Sequence, residues 1–307
     1  MTKATLLEAL AIDCPKIFLA LRDFIKKCYK DFKKNGIVLG LSGGIDSSLV
    51  AYLCKEAVGK ENVLALIMPE KESDFNNFQD ACFWAEELGI KYKIIFLTKY
   101  LKNFNIYDLF FLNQLKIPEK LKPMVVRNLS RLYAQITDEP VFNINFKSDK
   151  LLRKINAYYR FKHRLRMIII YLFADLENRL VVGCTNKTEY LIGFFVNYGC
   201  DDAGDIMPLL SLYKTQVKTL ANYLRLPNKL IEKKPSPDII PGIFDEEIIG
   251  IDYEMLDLIL VGIEKGLNIS QISELLNVEE KKVRYVFDLF IKSKPFRQKP
   301  ISYGNYN

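Results

Sequence analysis

The chain of 307 residues has one histidine, one tryptophan and six cysteines, and no two of the cysteines form a C-x-x-C pair. With His163 as the sole imidazole, a Ser-His-Asp or Cys-His nucleophile system has only one base available, and a metal site built on two histidines is excluded. The cysteines stand at 14, 28, 54, 82, 184 and 200; Cys54 and Cys82 fall in helical patterns, where a thiol behaves as a small buried hydrophobe. Reduced thiols and no zinc are expected. Long apolar runs are also missing. Met167 to Ala174 falls far short of the ~20 residues that cross a bilayer, and Met1-Thr-Lys-Ala has no signal-peptide apolar core. The expectation is a cytosolic protein with no membrane association.

Apolar material is nevertheless plentiful, at 50% of residues, which is ample for a core. Within it, Leu39-Gly-Leu-Ser-Gly-Gly-Ile-Asp-Ser-Ser-Leu-Val50 places a glycine turn between two apolar runs. Ile37 to Leu41 has the β-branched and leucine-rich character of a buried parallel strand. Asp46 to Val58 repeats apolar residues at helical spacing (Leu49, Val50, Leu53, Ala57). A strand, a bare turn and a helix in that order aim backbone N–H groups and a helix N-terminus at one point, which makes an anion site. The Walker pattern requires a Lys after its last glycine and the dinucleotide fingerprint requires G-x-G-x-x-G, and neither fits. Ser42-Gly-Gly-Ile-Asp-Ser47 instead resembles the SGGxDS loop of the ATP pyrophosphatase (PP-loop) superfamily. That resemblance implies an ATP-binding stretch over Gly40, Leu41, Ser42, Gly43, Gly44, Ile45, Asp46 and Ser47, with Asp46 also facing Mg²⁺.

The net charge of +7 is concentrated. Residues 102–166 hold 14 Lys/Arg against 5 Asp/Glu, so the rest of the chain is slightly acidic. Three readings of this segment stand: a pocket for a phosphorylated small molecule, a solvated face, or an RNA-binding surface. Nucleic acid is the least favoured, because the aromatic-basic interleaving of a known module is absent.

Along the chain, residues 5–34 read as helix broken at Pro15 and ending near Asn35-Gly36. Asn62–Met68 and Tyr92–Leu97 read as the second and third strands, with a helix over Asn77–Leu88 between them that Gly89 closes. Residues 100–150 read as an irregular, mostly helical insertion with breaks at Pro118 and Pro123 and turns around Asn143. Leu151–Leu176 is a long helix, basic early and apolar late; Arg179–Cys184 is a fourth strand and Lys187–Phe195 a helix. Later helices cover Tyr213–Leu224 and Phe287–Lys292. Alternating strand and helix predicts an α/β fold with a doubly wound parallel sheet and helices on both faces, one domain over 1–307. There is no internal repeat and no low-complexity linker.

Further motifs extend the resemblance. Val182-Gly-Cys-Thr-Asn-Lys-Thr-Glu189, Gly193-Phe-Phe, Gly204-Asp-Ile-Met-Pro208, Leu212-Tyr-Lys-Thr-Gln216, Lys234-Pro-Ser236 and Asp245-Glu-Glu-Ile-Ile-Gly-Ile251 are, in order, similar to those of NAD synthetases. With the phosphate loop and Arg164-Leu-Arg-Met167 they cover residues 37 to about 300, apart from the insertion. The resemblance implies an adenine nucleotide alpha hydrolase-like fold and a ligase. It would amidate nicotinic acid adenine dinucleotide with ammonia through an acyl-adenylate, releasing AMP and pyrophosphate. It further implies that Glu189 pairs with Asp46 on Mg²⁺, that Lys214, Ser236 and Cys184 contact ATP, and that Arg164, Asn197 and Asp205 hold the dinucleotide. No protein nucleophile is needed, in keeping with the scarcity of histidine. Glutamine-using members carry a further nitrilase-like domain, so free ammonia is the expected donor, and a homodimer is the expected assembly.

The chain departs from the family pattern, mostly on the substrate side. Cys184 stands where a Thr that contacts ATP is usual, and Asn197 where a Lys that contacts the dinucleotide is usual. Gly199-Cys-Asp-Asp-Ala-Gly-Asp205 runs one residue long, and Pro295-Phe-Arg-Gln-Lys-Pro300 replaces a tail with a His-Lys pair. Lys147, Lys150, Arg153 and Lys154, with Phe296, are the candidates to compensate. The alternatives are a related PP-loop amide ligase or adenylating enzyme acting on another carboxylate, and a non-catalytic or RNA-associated relative.

Overall fold

The structure, a computed structural model, describes residues 2–115, 117–118, 121–137, 140, 142, 150–236 and 243–297. Strands β1 (Gly36–Gly40), β2 (Val63–Ile67), β3 (Lys91–Ile94) and β4 (Arg179–Val181) form one parallel sheet in the order β3-β2-β1-β4. Ile37 lies beside Val63 on one side and Leu180 on the other. Helices α1 (Lys3–Leu10) and α2 (Cys14–Asp31) precede β1, α3 (Ile45–Val58) joins β1 to β2, and α4 (Phe75–Leu88) joins β2 to β3. Between β3 and β4 lie α5 (Thr98–Asn103), α6 (Phe111–Gln114), α7 (Lys122–Thr137) and the long α8 (Lys150–Glu177). After β4 come α9 (Lys187–Ile192), α10 (Lys214–Tyr223), α11 (Asn228–Ile231), α12 (Asp245–Ile249), α13 (Tyr253–Glu264), α14 (Ile269–Leu276) and α15 (Glu280–Arg297).

The pleat of the strands divides the core. Ile37 and Leu39 of β1, with Val63 and Ala65 of β2, pack into a cluster with Leu21, Ile25, Leu49 and Leu53 from α2 and α3. Val38, Leu64 and Leu66 point the opposite way, onto Leu101, Met167, Ile170 and Ala174. Both faces are therefore covered, as the continuous apolar strands require. A third cluster joins Leu191 and Ile192 of α9 to α13, α14 and α15.

Several boundaries shift for identifiable reasons. Pro15 does not break a helix internally but starts α2, whose N-cap Asp13 accepts from Lys16 N. Pro123 likewise occupies the second position of α7 instead of ending a helix. The third strand stops at Ile94, although Ile95 N and Leu97 N still reach Ile67 O and Pro69 O, because Pro69 has no N–H to continue the ladder. The fourth strand stops at Val181, whose N–H donates to the Asp205 carboxylate, and only a single bridge, Val182 to Ile206, prolongs it. The expected turn at Asn143, residue Lys147 and the Gln298–Pro300 end of the tail lie outside the described residues.

Candidate active site

The strand order reverses between β1 and β4: from β1 the chain builds outward through β2 to β3, then returns to place β4 on the other side. Loops leaving the carboxyl ends of these two strands diverge there and open a crevice. Residues 41–47 leave β1 and residues 182–189 follow β4, so both line one cleft of about 630 Å³, in the range of a small-molecule site.

Gly44 caps α3 without any side-chain hydrogen bond, and Ser48 N is the first to reach back to Gly44 O. The N–H groups of Ile45, Asp46 and Ser47 therefore have no partner within the helix, the arrangement that receives an anion. Ser42 and Ser47 hold the turn in shape: their hydroxyls lie 3.0 Å apart and Ser42 N donates to Ser47 Oγ at 3.2 Å. Gly43 has φ +79° and a Cβ there would meet Asn77 O at 2.2 Å, so only glycine lets the loop settle on α4.

Opposite the loop, the Lys214 ammonium lies 2.5 Å from Asp46 Oδ2 and 3.1 Å from Glu189 Oε1. Asn186 Nδ2 donates to the other Asp46 oxygen at 2.9 Å. Asn186 also caps α9 together with Glu189, whose Oε2 accepts from Asn186 N. Glu189 thus serves the helix start with one oxygen and the site with the other. Asp245, at the first position of α12, accepts from Tyr253 OH at 2.9 Å, and its buried Oδ1 has no hydrogen-bond partner among the described residues.

Burial, opposed by Lys214 and reinforced by Asp46 and Asp245, pushes the Glu189 carboxyl up to about 8. Burial likewise raises Asp245 to about 6, and burial raises the Tyr253 hydroxyl well above its ordinary range. Lys214 is raised as well, because the surrounding carboxylates outweigh its own desolvation. Three carboxyl groups thus share one ammonium, and two are held toward their neutral forms. The place is short of positive charge, and its hard oxygen donors, one with no hydrogen-bond partner among the described residues, fit Mg²⁺.

The carboxylate that organises this centre is Asp257 on α13, fully buried among apolar neighbours. It accepts from Thr188 Oγ1 at 2.5 Å, Thr215 Oγ1 at 2.7 Å and Thr215 N at 2.9 Å, and Thr188 Oγ1 in turn accepts from Lys214 N at 2.8 Å. The first turns of α9 and α10, which carry Glu189 and Lys214, are tied to one point.

Of the residues expected at the site, Gly40, Leu41, Ser42, Gly44, Ile45, Asp46, Ser47, Cys184, Glu189, Lys214, Ser236, Arg164 and Asn197 line the cleft. Burial holds the Cys184 thiol well above its usual range, so it is an apolar wall and not a nucleophile. Gly43 and Asp205 do not line it. Asp205 is exposed, accepting from Tyr171 OH at 3.0 Å and from Val181 N at 2.9 Å. Arg164 Nε donates to the Asn197 carbonyl at 3.0 Å, and Phe296 also reaches the cleft. Arg153 and Lys154 are exposed and away from it, whereas Arg160, Lys162 and Arg166, further along the same helix, face it. Lys162 is committed to Glu70 and Glu72, at 2.7 Å each. Burial, and then the charge of Arg164, hold the Arg160 guanidinium below its ordinary range.

Asp257 and Lys233 were not expected at the site from sequence, the latter lining the cleft with its ammonium 2.6 Å from Asp80 Oδ2; Asp245 and Arg160 fell within a family motif and the basic segment but were not singled out. Asp257 had one signal, a lone acid in the apolar run Met255-Leu-Asp-Leu-Ile-Leu-Val261, where an unpartnered charge would not be buried.

A phosphate-cradling helix start at the β1/β4 reversal, faced by carboxylates around a lysine, defines a nucleotide-binding α/β protein of the PP-loop kind. The NAD synthase family pattern matches residues 17–109 and 120–300, and the chain belongs to that family. It is 38% identical over 287 residues to the NH3-dependent NAD⁺ synthetase of Coprothermobacter proteolyticus, covering 91% of this chain and 93% of that one. It is equally 38% identical over 281 residues to the Thermotoga maritima enzyme of the same name, covering 91% and 96%. Among solved structures it is similar to the NH3-dependent NAD synthetase of Campylobacter jejuni in complex with nitrate, with a TM-score of 0.65, 29% identity, and 95% and 99% of the two chains covered.

Proposed function

We propose that this chain is an ammonia-dependent NAD synthetase, a cytosolic ligase forming a C–N bond at the expense of ATP. The observation that carries the reading is the Lys214 ammonium between Asp46 and Glu189, opposite the free N-terminus of α3. The nicotinate carboxylate of nicotinic acid adenine dinucleotide attacks the α-phosphorus of ATP. Pyrophosphate leaves toward residues 42–47, where the N–H groups of α3 and the Lys214 ammonium stabilise the charge that develops on it. Ammonia then adds to the acyl carbon and AMP departs. Asp46 and Glu189 would hold Mg²⁺, with Asp245 beside them; the ion supplies charge neutralisation at the phosphates. Because the protein has only to position and to neutralise, a site without catalytic histidine suffices.

On the substrate side, Arg160 and Arg164 line the cleft as cations suited to the dinucleotide's phosphates, with Phe296 as a surface for stacking. Ile168, Leu172 and Leu176 form an exposed apolar stripe at spacings of four on α8, while Met167, Ile170 and Ala174 of the same helix enter the core. The stripe runs past Tyr171, which carries Asp205. We assign this face to a homodimer, in which Asp205 would meet substrate held at the interface. The ammonia reading follows the NH3-dependent relatives, nearly the full length of which this chain spans.

The test is mass spectrometry of products after incubation with ATP, Mg²⁺, nicotinic acid adenine dinucleotide and either ammonium or glutamine. NAD, AMP and pyrophosphate are expected with ammonium and little NAD with glutamine. Pyrophosphate without NAD would indicate another carboxylate substrate, and efficient use of glutamine would refute the nitrogen assignment.

A further inference from the structure

On the far wall of the cleft from the phosphate loop, α8 and the loop after α9 bring together the one histidine, a cysteine and a carboxylate. His163 Nδ1 lies 2.7 Å from Asp201 Oδ2 and 3.5 Å from Cys200 Sγ, and Cys200 Sγ lies 3.3 Å from Asp201 Oδ1. One donor atom from each residue falls within 4.8 Å of the others, and all three residues line the cleft. From this geometry we propose that His163, Cys200 and Asp201 form a zinc site, with a fourth position open to the cleft.

The dimensions agree with tetrahedral ligation. Bonds of ~2.3 Å to sulfur and ~2.0–2.2 Å to nitrogen and oxygen place ligand atoms about 3.4–3.6 Å apart. The two distances from sulfur are already close to this. The nitrogen–oxygen pair is shorter because it is hydrogen-bonded in the metal-free state, and that is the bond an ion would replace. A thiolate, an imidazole and a carboxylate make a donor set of borderline softness that favours zinc over Mg²⁺. None of this required C-x-x-C spacing, because the ligands come from segments 37 residues apart.

The surroundings hold the ligands in place. Cys200 N donates to the His163 carbonyl at 3.2 Å, Thr185 Oγ1 donates to the Asp201 carbonyl, and Gly199 packs against His163 Cβ. Burial raises the Cys200 thiol well above its ordinary range, with Arg166 only partly opposing it, so the ion itself supplies most of the stabilisation of the thiolate; against burial, His163, Cys200 and Arg166 hold the Asp201 carboxyl low. On binding, the Cys200 S–H proton goes to solvent, the imidazole proton moves from Nδ1 to Nε2, and bonds form from sulfur, Nδ1 and the carboxylate to the ion, with no change of oxidation state. Occupancy ties the 196–205 loop to α8 beside Arg164. The site does not depend on the activity assigned above.

Cobalt(II) serves as the optical probe. Titration of the metal-free full-length protein should give a thiolate-to-cobalt charge-transfer band that saturates at one equivalent. Zinc should bleach it and excess Mg²⁺, which prefers the all-oxygen Asp46/Glu189 centre, should not. Cys200→Ser should abolish the band, and His163→Gln should weaken zinc binding by more than the ~10- to 100-fold that loss of an outer-sphere partner costs. Cys14→Ser should leave both intact. In the unsubstituted chain, zinc should protect Cys200 but not Cys14 from iodoacetamide, read by peptide mass spectrometry; this arm stands even if a variant fails to fold. Absence of the band, its survival in a folded Cys200→Ser variant, or alkylation of Cys200 at the same rate with zinc present would overturn the site.

Discussion

Replacing Asp257 by Asn tests the organisation of the centre through the pH dependence of stability. The carboxyl is fully buried, and desolvation, only partly offset by Thr188 and Thr215, raises it from 3.8 to about 6. A carboxyl whose folded value lies above its unfolded value stays protonated longer in the folded state. It therefore destabilises the fold as pH rises from about 4 through 6, and that penalty is complete above this window. A rise from 3.8 to about 6 corresponds to ~3 kcal/mol. The amide cannot ionise, yet its carbonyl still accepts from Thr215 N. The variant loses one accepted hydroxyl hydrogen bond, whose charge-independent part costs about 0.5–1.5 kcal/mol at every pH. Urea unfolding of both proteins across this window should then show the stability difference moving by ~3 kcal/mol in favour of the variant. Titrations of Glu189 and Asp245, common to both proteins, largely cancel in the difference. A difference that stays flat between about pH 4 and 7 would refute the account of Asp257 as a buried, costly anchor. Asp257→Ala separates anchoring from charge: with no acceptor for Thr215 N, it should lose ~1–3 kcal/mol from that donor alone. It should also slow adenylation, because Glu189 and Lys214 are no longer held.

Asp46→Asn and Glu189→Gln should each lower ATP–pyrophosphate exchange by orders of magnitude with circular dichroism unchanged; full turnover in either would remove the metal assignment. Since protons compete with the ion at a Glu189 carboxyl raised to about 8, the Mg²⁺ concentration for half-maximal rate should fall as pH rises from neutrality through that value, and a flat profile would count against it. Arg160→Glu should weaken dinucleotide binding in calorimetry while sparing ATP, whereas Arg153→Glu with Lys154→Glu, both exposed, should change little. Ile168→Lys with Leu172→Lys should convert a dimer to a monomer by light scattering; an unsubstituted chain that is already monomeric would refute the interface.

The glycine-turn side of the cleft was legible in the sequence because its signals are local. Strand, glycine turn and helix follow one another over Ile37–Val58, so the loop's shape and its anion-binding end come from neighbours in the chain. Glu189 and Lys214 were reached through ordered motifs, and the structure adds why they meet: Asp257, more than forty residues from Thr215, fastens their helices. Such a contact has no period and no spacing to detect. Asp205 illustrates the converse, since its motif gave no hint that its carboxylate would turn to the end of β4. The basic segment was visible as a surplus of charge, but which of its cations face the cleft depends on the rotation of α8. That rotation buries Lys162, presents Arg160 and Arg164, and sends Arg153 and Lys154 to solvent.

The crossover from β3 to β4 has to travel from one edge of the sheet to the other, and α8 returns it onto β1 and β4. A connection already that long gains length cheaply, since each doubling of a flexible loop costs only about 0.6 kcal/mol in closure entropy. The β1–α3 turn has no such freedom, because Gly43 rests on the backbone of α4. One side of the cleft can thus accept insertions and exchanged side chains while the other cannot change by a methyl group. The two walls of the cleft therefore differ in how much sequence change each can absorb.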